Sequence, residues 1–295
     1  MKKSLLIVAI FISNYIFPNR IDELKTTLDI ENFIIKIDAE FASGTNFHIP
    51  KIDTIIIDKN CSQIINLWSI LNFEKVDLTN DGLTDLIFLI HLNNEFYQYL
   101  VIDHGNNDFE LLRILDGLLS ECELIKPIRI KNSNALRIYR SNNYDGINII
   151  DTLIYKFNGF IELNSKNNIL PIDEIELKYD SYCWGEDCPT FNLKIDKNGK
   201  VKLWNNSTHY FVDKVCTKQL SDSGFRNMMS ICEYIAFNLK NNYAINWSHQ
   251  PTFTLKISFS NGKTKEIKDY GMKGTLGLSY LYTQILNLGA EINQD

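Results

Sequence analysis

The 295-residue sequence lacks an excess of basic charge, an apolar run of membrane length and the short motifs that mark familiar catalysis. Lys and Arg number 30 against 36 Asp and Glu, a net charge of -6, and no basic stripe is interleaved with aromatics. Nucleic-acid binding needs such a stripe to neutralise phosphates, so no nucleic-acid partner is expected. The apolar opening, Leu5 to Ile12, falls short of the ~20 residues that cross a bilayer, so no stable transmembrane anchor is expected. There is no His-Glu-x-x-His, no Gly-x-Ser-x-Gly and no glycine loop of the phosphate-cradling kind. His48, His91, His104, His209 and His249 are scattered without paired metal spacing. Asp103-His104 beside a turn has the form of a general-base pair, but His104 reads better as a surface turn residue.

What is present describes an exported globular chain. Apolar residues make up 45% and aromatics 12%, ample for a core, and the length suits two domains. Met1-Lys2-Lys3 followed by Leu5 to Ile12, ended by Asn14, Pro18 and Arg20, follows the secretory pattern. Residues 1–20 are therefore read as a signal peptide, with the mature chain starting between Ser13 and Ile21; a buried first strand or helix is the alternative. No small-residue cleavage site is evident, and the first cysteine, Cys61, lies too far on for a lipid anchor. The location expected is periplasmic or extracellular, where cysteines are oxidised. Six cysteines allow 15 full pairings, and the partners of Cys61, Cys122, Cys216 and Cys232 stay open.

Residues 21–170 read as a β-rich domain. Phe33 to Ile37 and Ile52 to Ile57 are expected as strands, and Ile64, Leu67, Trp68 and Leu71 as one face of a short helix. Asp77-Leu78-Thr79-Asn80-Asp81-Gly82-Leu83-Thr84-Asp85 then leads into an apolar strand. Ca²⁺ takes six to eight oxygen ligands, and oxygens at alternate positions around a glycine turn can wrap it. Asp77, Thr79, Asp81, the Leu83 carbonyl and Asp85 stand at the first, third, fifth, seventh and ninth positions. Phe88 stands where an EF-hand would carry Glu, so the loop is not an EF-hand. It resembles the calcium loop of integrin-type (FG-GAP or VCBS) β-blades, with Thr79 in place of the usual Asn or Asp. A solvated turn whose Asp and Asn side chains bond their own backbone is the competing reading. Asn158-Gly159 marks a hairpin, and Asn164 to Asn168 a linker.

Residues 171–295 read as an α+β domain, an antiparallel sheet with two helices on one face. Alternating strands turn at Asn198-Gly199 and Asn261-Gly262, and His209 to Val215 is expected as a further strand. Ser221 to Ser223 caps a helix whose apolar face runs from Phe225 to Leu239. Leu278, Leu281, Ile285 and Leu288 form a last helical stripe, with Gly289 as its stop. This order, with Cys183, Trp184, Gly185, Cys188, Pro189 and Phe191, resembles a family of uncharacterised exported bacterial domains over about Ile172 to Leu288. Their signature is Cys-aromatic-Gly-x-Cys-Pro-x-aromatic, and Glu186-Asp187 is one residue longer. The resemblance implies a fold and a compartment and no activity.

Three readings compete for Cys183 and Cys188. A short loop with a glycine can bring the two to disulfide distance. A redox pair would sit at a helix N-terminus, and Glu186 and Asp187 would raise the thiol pKa values. Zinc would need two further ligands nearby. The disulfide is the reading preferred. Trp184, Trp204 and Trp247 suit either a binding surface or a core. The function expected is a non-enzymatic binding or interaction module with a protein or carbohydrate partner and a Ca²⁺ ion. The alternative is an exported hydrolase whose site assembles only in three dimensions.

Overall fold

A computed structural model describes residues 19–39, 48–49, 59–92, 95–114, 122–142, 147–165, 170–181, 190–206 and 214–294. Residues 1–18 of the stretch 1–20 expected as a signal peptide, the expected strand Ile52 to Ile57, and Cys183 and Cys188 lie outside them. The described strands form three sheets with α-helices packed on them, a β-rich fold consistent with α+β.

The described residues open with α1 (Arg20–Glu23) and α2 (Thr27–Ile37). Phe33 to Ile37, expected as strand, is thus helical. The run Phe33-Ile34-Ile35 fits either period, and the N-terminal cap decides. Thr26 Oγ1 accepts the Asp29 N–H at 3.1 Å while Asp29 Oδ2 accepts the Thr26 N–H at 2.8 Å, a complete capping box. Ile30, Phe33 and Ile34 then share a buried face at helical spacing. A third helix, α3 (Lys59–Trp68), forms in the expected place, but its packed face is Cys61, Ile64, Ile65 and Trp68; Leu67 is 74% exposed and Leu71 lies beyond the helix.

Sheet one is the meander β1 (Phe73–Val76), β2 (Asp85–Leu92), β3 (Glu95–Asp103) and β4 (Phe109–Leu112). Sheet two is a second meander, β5 (Cys122–Ile130), β6 (Ser133–Asn142), β7 (Ile147–Lys156) and β8 (Gly159–Glu162). Strand alternation lets each sheet bury two faces differently. Leu86, Phe88 and Ile90 meet α1 and α2, whereas Ile87, Leu100 and Ile102 meet Ile125, Leu136 and Ile138 of sheet two. The outer face of sheet two presents Leu124 and Tyr139 to α3. There Cys61 of α3 and Cys122 of β5 form a disulfide, a pairing left open on the sequence. Closing a loop of 61 residues stabilises by about 4 kcal/mol on the chain-entropy relation.

Sheet three takes β9 (Ile172–Asp180), β10 (Thr190–Asp196), β11 (Lys200–Asn206), β12 (Lys214–Gln219), β13 (Asn242–Ala244), β14 (Thr252–Phe259) and β15 (Thr264–Tyr270). Their spatial order is β12-β11-β10-β9-β14-β15-β13. All pairs are antiparallel except β13 with β15, a departure from the uniformly antiparallel sheet expected. Leu177 has Leu193 and Leu255 on its two neighbouring strands, and Ile175 has Ile195 and Ile257. That single apolar face packs under α4 (Asp222–Ala236) and α5 (Leu276–Gln294). Each fully buried Leu or Ile there contributes about 1.5–3 kcal/mol.

Two expectations on boundaries change. The hairpin joining β7 to β8 turns on Phe157-Asn158, with φ of 60° and 61°, one residue before Asn158-Gly159. A two-residue turn of this kind needs positive φ at both positions. Gly289 does not stop α5, because Ile292 continues the buried stripe into the next turn. Of the strand expected over His209 to Val215, residues 209–213 lie outside the described ones, and Lys214 and Val215 belong to β12.

Candidate calcium loop and open sheet face

The loop from Asp77 to Asp85 joins β1 to β2, as the spacing requires, and its side chains close it from within. Asp77 Oδ1 accepts the Asp81 N–H at 3.1 Å and the Thr79 hydroxyl at 3.4 Å, and Oδ2 accepts the Gly82 N–H at 2.9 Å. Asp81 Oδ1 accepts the Leu83 N–H at 2.8 Å. Gly82, at φ of 93°, takes the backbone through the left-handed region that a side chain would resist.

Asp85 points inward and is fully buried. Its Oδ2 accepts the N–H groups of Leu78 at 2.6 Å and Thr79 at 3.2 Å, and its Oδ1 accepts that of Asp103 at 2.9 Å. Burial pushes its pKa up to about 6, against the pull of those three N–H groups. The loop also clasps sheet two. Asn134 donates its backbone N–H to Asn80 Oδ1 and its side-chain amide to the Asp77 carbonyl, both at 2.7 Å.

The donors suit a hard cation in kind: two carboxylates, a hydroxyl and a carbonyl, all oxygen. A carboxylate oxygen has two lone pairs, so accepting one N–H leaves one for an ion. Asp77 and Asp81 retain such capacity on half-exposed or exposed side chains. Asp85 spends three of its four positions on backbone. Among the described residues, no group of three or more His, Cys, Asp or Glu side chains is placed to hold a metal ion. Nor do Asp103 and His104 pair: Asp103 Oδ1 accepts the Gly105 N–H at 2.7 Å, while exposed His104 meets Glu110 at 3.1 Å.

The second feature is the face of sheet three opposite the helices. One row across five strands reads Val215, Trp204, Asn192, Lys178 and Thr254. Val215 is 50% exposed, and Lys202 Nζ lies 4.5 Å from the centre of the half-buried Trp204 ring. Asn192 donates to Glu176 at 2.9 Å, while its Oδ1 is buried without a partner among the described residues. An aromatic plate beside amide and carboxylate groups can stack an apolar surface and hydrogen-bond its rim.

Sequence reasoning passed over two acids that the fold uses internally. Asp269, fully buried in β15, accepts the N–H groups of Lys273 at 2.8 Å and Gly274 at 3.1 Å, and burial pushes its pKa up to about 6. Glu162 of β8 accepts those of Leu276 at 2.5 Å and Gly277 at 2.9 Å. For Asp269 the available signal was an acid at a core-facing place in an alternating strand, Ile267-Lys268-Asp269.

A domain of the family described as Domain of unknown function (DUF6438) is found at residues 173–289, less than half of the chain. It falls on the stretch in which the sequence resembles an uncharacterised domain family. No curated protein and no solved structure matches the chain.

The buried carboxyl of Asp85 gives a pH dependence of definite sign. An unfolded Asp titrates near ~3.9, and native Asp85 near about 6. Between those values the native state holds a proton that the unfolded chain has released. Its contribution to stability is therefore complete below about pH 4 and lost as pH rises through about 6. Carboxyl ¹³C NMR on labelled protein should show an Asp85 midpoint near 6. A midpoint at or below about 4 would refute the assignment.

Proposed function

We propose that the chain is an exported binding or interaction module, working in the periplasm or outside the cell on a protein or carbohydrate partner. The open face of sheet three around Trp204 carries this reading. It joins an aromatic plate to amide, carboxylate and ammonium groups on rigid strands, the chemistry that recognises a sugar ring or a polar peptide surface. The Cys61–Cys122 disulfide supports the compartment, because such bonds persist where the environment is oxidising. Among the described residues no helix is long and apolar enough to cross a membrane.

Two further assignments belong to the same reading. Cys183 and Cys188, which fall in sequence between β9 and β10, form a second disulfide. The loop from Asp77 to Asp85 holds Ca²⁺ through Asp77, Thr79, Asp81 and the Leu83 carbonyl. Asp85 shapes the loop from inside and has at most one lone pair to lend.

Three measurements bear on these points. Calorimetry with Ca²⁺ should give binding heat with the parent protein and none with Asp81→Ala; no heat from the parent at about millimolar Ca²⁺ would leave only the solvated turn. Non-reducing peptide mapping of protein recovered outside the cytoplasm should yield Cys61–Cys122 and Cys183–Cys188 as linked peptides. Free thiols at 183 and 188, or recovery from the cytoplasm with Met1 intact, would overturn pairing or export respectively. On an array of oligosaccharides and exported proteins, Trp204→Ala should weaken what the parent binds by about tenfold or more at an unchanged melting temperature. Equal retention by the variant would remove this face from the function.

A further inference from the structure

The hairpin of β7 and β8 belongs to sheet two, yet its tip and second strand are read by residues of the DUF6438 domain. The Tyr280 hydroxyl donates to the Phe157 carbonyl at 2.8 Å, with the Asn158 carbonyl 3.2 Å away. Those are the two residues whose left-handed backbone makes the turn. Gly159 then lies flat on the Tyr280 ring, where a Cβ would come within 2.8 Å of ring carbons. The Phe157 ring meets Tyr234 edge-on at 5.9 Å, and Lys156 Nζ sits 4.5 Å from the centre of the Tyr234 ring.

Three residues beyond Gly159, the Glu162 carboxylate receives two N–H groups at the N-terminus of α5, one to each oxygen. Gly277 makes room for it: a Cβ there would lie 3.0 Å from Glu162 Oε2 and 2.9 Å from Ile235. Asn164 ends the contact by donating its N–H to the Tyr234 hydroxyl and its side-chain amide to the Tyr234 carbonyl, both at 2.7 Å. Every reading residue (Tyr234, Leu276, Gly277 and Tyr280) falls within the family match, and every residue read falls before it. The contact therefore checks a turn conformation, the absence of a side chain and a carboxylate at a fixed offset. Nonspecific domain packing demands none of these.

We propose that this face of the DUF6438 domain is a receptor for a β-hairpin with a left-handed two-residue turn, a glycine after it and a carboxylate three residues further on. In this chain the receptor is filled by the chain's own β7–β8 hairpin, which holds the two halves together independently of the peptide link between them.

The test uses the full chain with a protease site inserted between Ser165 and Leu170 and cut after folding. The two fragments should co-elute at about 1 µM. Tyr280→Phe and Glu162→Gln should each weaken that association by about tenfold or more, since a hydrogen bond to a charged or buried group is lost. Circular dichroism of the uncut variants confirms their folding. Should Glu162→Gln not fold, Gly159→Ala serves in its place, because its Cβ would strike the Tyr280 ring. Fragments of the cut parent that separate at that concentration would overturn the proposal. So would folded variants whose fragments hold as tightly as the parent's.

Discussion

The arrangement of the molecule depends on a carboxylate from one sheet seated on the first turn of a helix that belongs to another. The first N–H groups of a helix have no partner within it and carry the positive end of its dipole. In α5 two of them, on Leu276 and Gly277, are met by Glu162 of sheet two. From that point α5 lies across sheet three, with Tyr282 stacked on Phe253 at 4.5 Å and Leu278, Leu281 and Ile285 fully buried. Leu276, at the start of the same helix, packs on the core between sheets one and two. One helix thus borrows its cap from the first half while supplying core to the second. A boundary drawn at residue 170 cuts the chain in sequence, but the packing runs across it.

The same device recurs at smaller scale. Asp85 fastens the start of its loop and the end of β3, and Asp269 fastens the turn that leads into α5. Gln98 does a related job with a neutral group, pairing its amide with the backbone of Ile125 and so joining sheet one to sheet two. An acid suits Asp85 because a carboxylate has two acceptor oxygens and no donor, and three N–H groups converge on it. The cost is burial of charge, which pushes the pKa values of Asp85 and Asp269 up. Gly274 stands where a Cβ would lie 2.5 Å from Asp269 Oδ2, so the acid and the glycine of this turn require each other.

How much of this was legible in the sequence depends on whether the signal was local. The turns at Gly199 and Gly262 have φ of 75° and 79°, which is why Asn-Gly marked them. The helix start at Ser221 was legible because its side chain accepts the Gly224 N–H. The loop between β1 and β2 was legible as a turn because Asp, Asn and Gly cluster between two apolar runs. In α2, a continuous apolar run satisfied two periods, and the capping pair Thr26 and Asp29 was the better evidence. The link from Cys61 to Cys122 spans 61 residues with no spacing rule to find it. Glu162 looked like an ordinary outward residue of a short strand, since its partners lie 114 and 115 residues further on.

The acidic loop gains meaning from its neighbour. Sheet one and sheet two are both four-stranded meanders, yet their first connections differ. Where β1 passes to β2 through Asp77 to Asp85, β5 passes to β6 through Lys131 and Asn132 alone. The long loop of one sheet lies against the short turn of the other, with Asn80 and the Asp77 carbonyl bonded to Asn134. An ion bound between Asp77 and Asp81 would therefore tighten more than its own loop. By fixing Asp77 it would fix the carbonyl that receives the Asn134 amide, and with it the seam along which the two sheets meet. Calcium would act here on the junction between sheets, at the same end of sheet two as the hairpin that the second half holds.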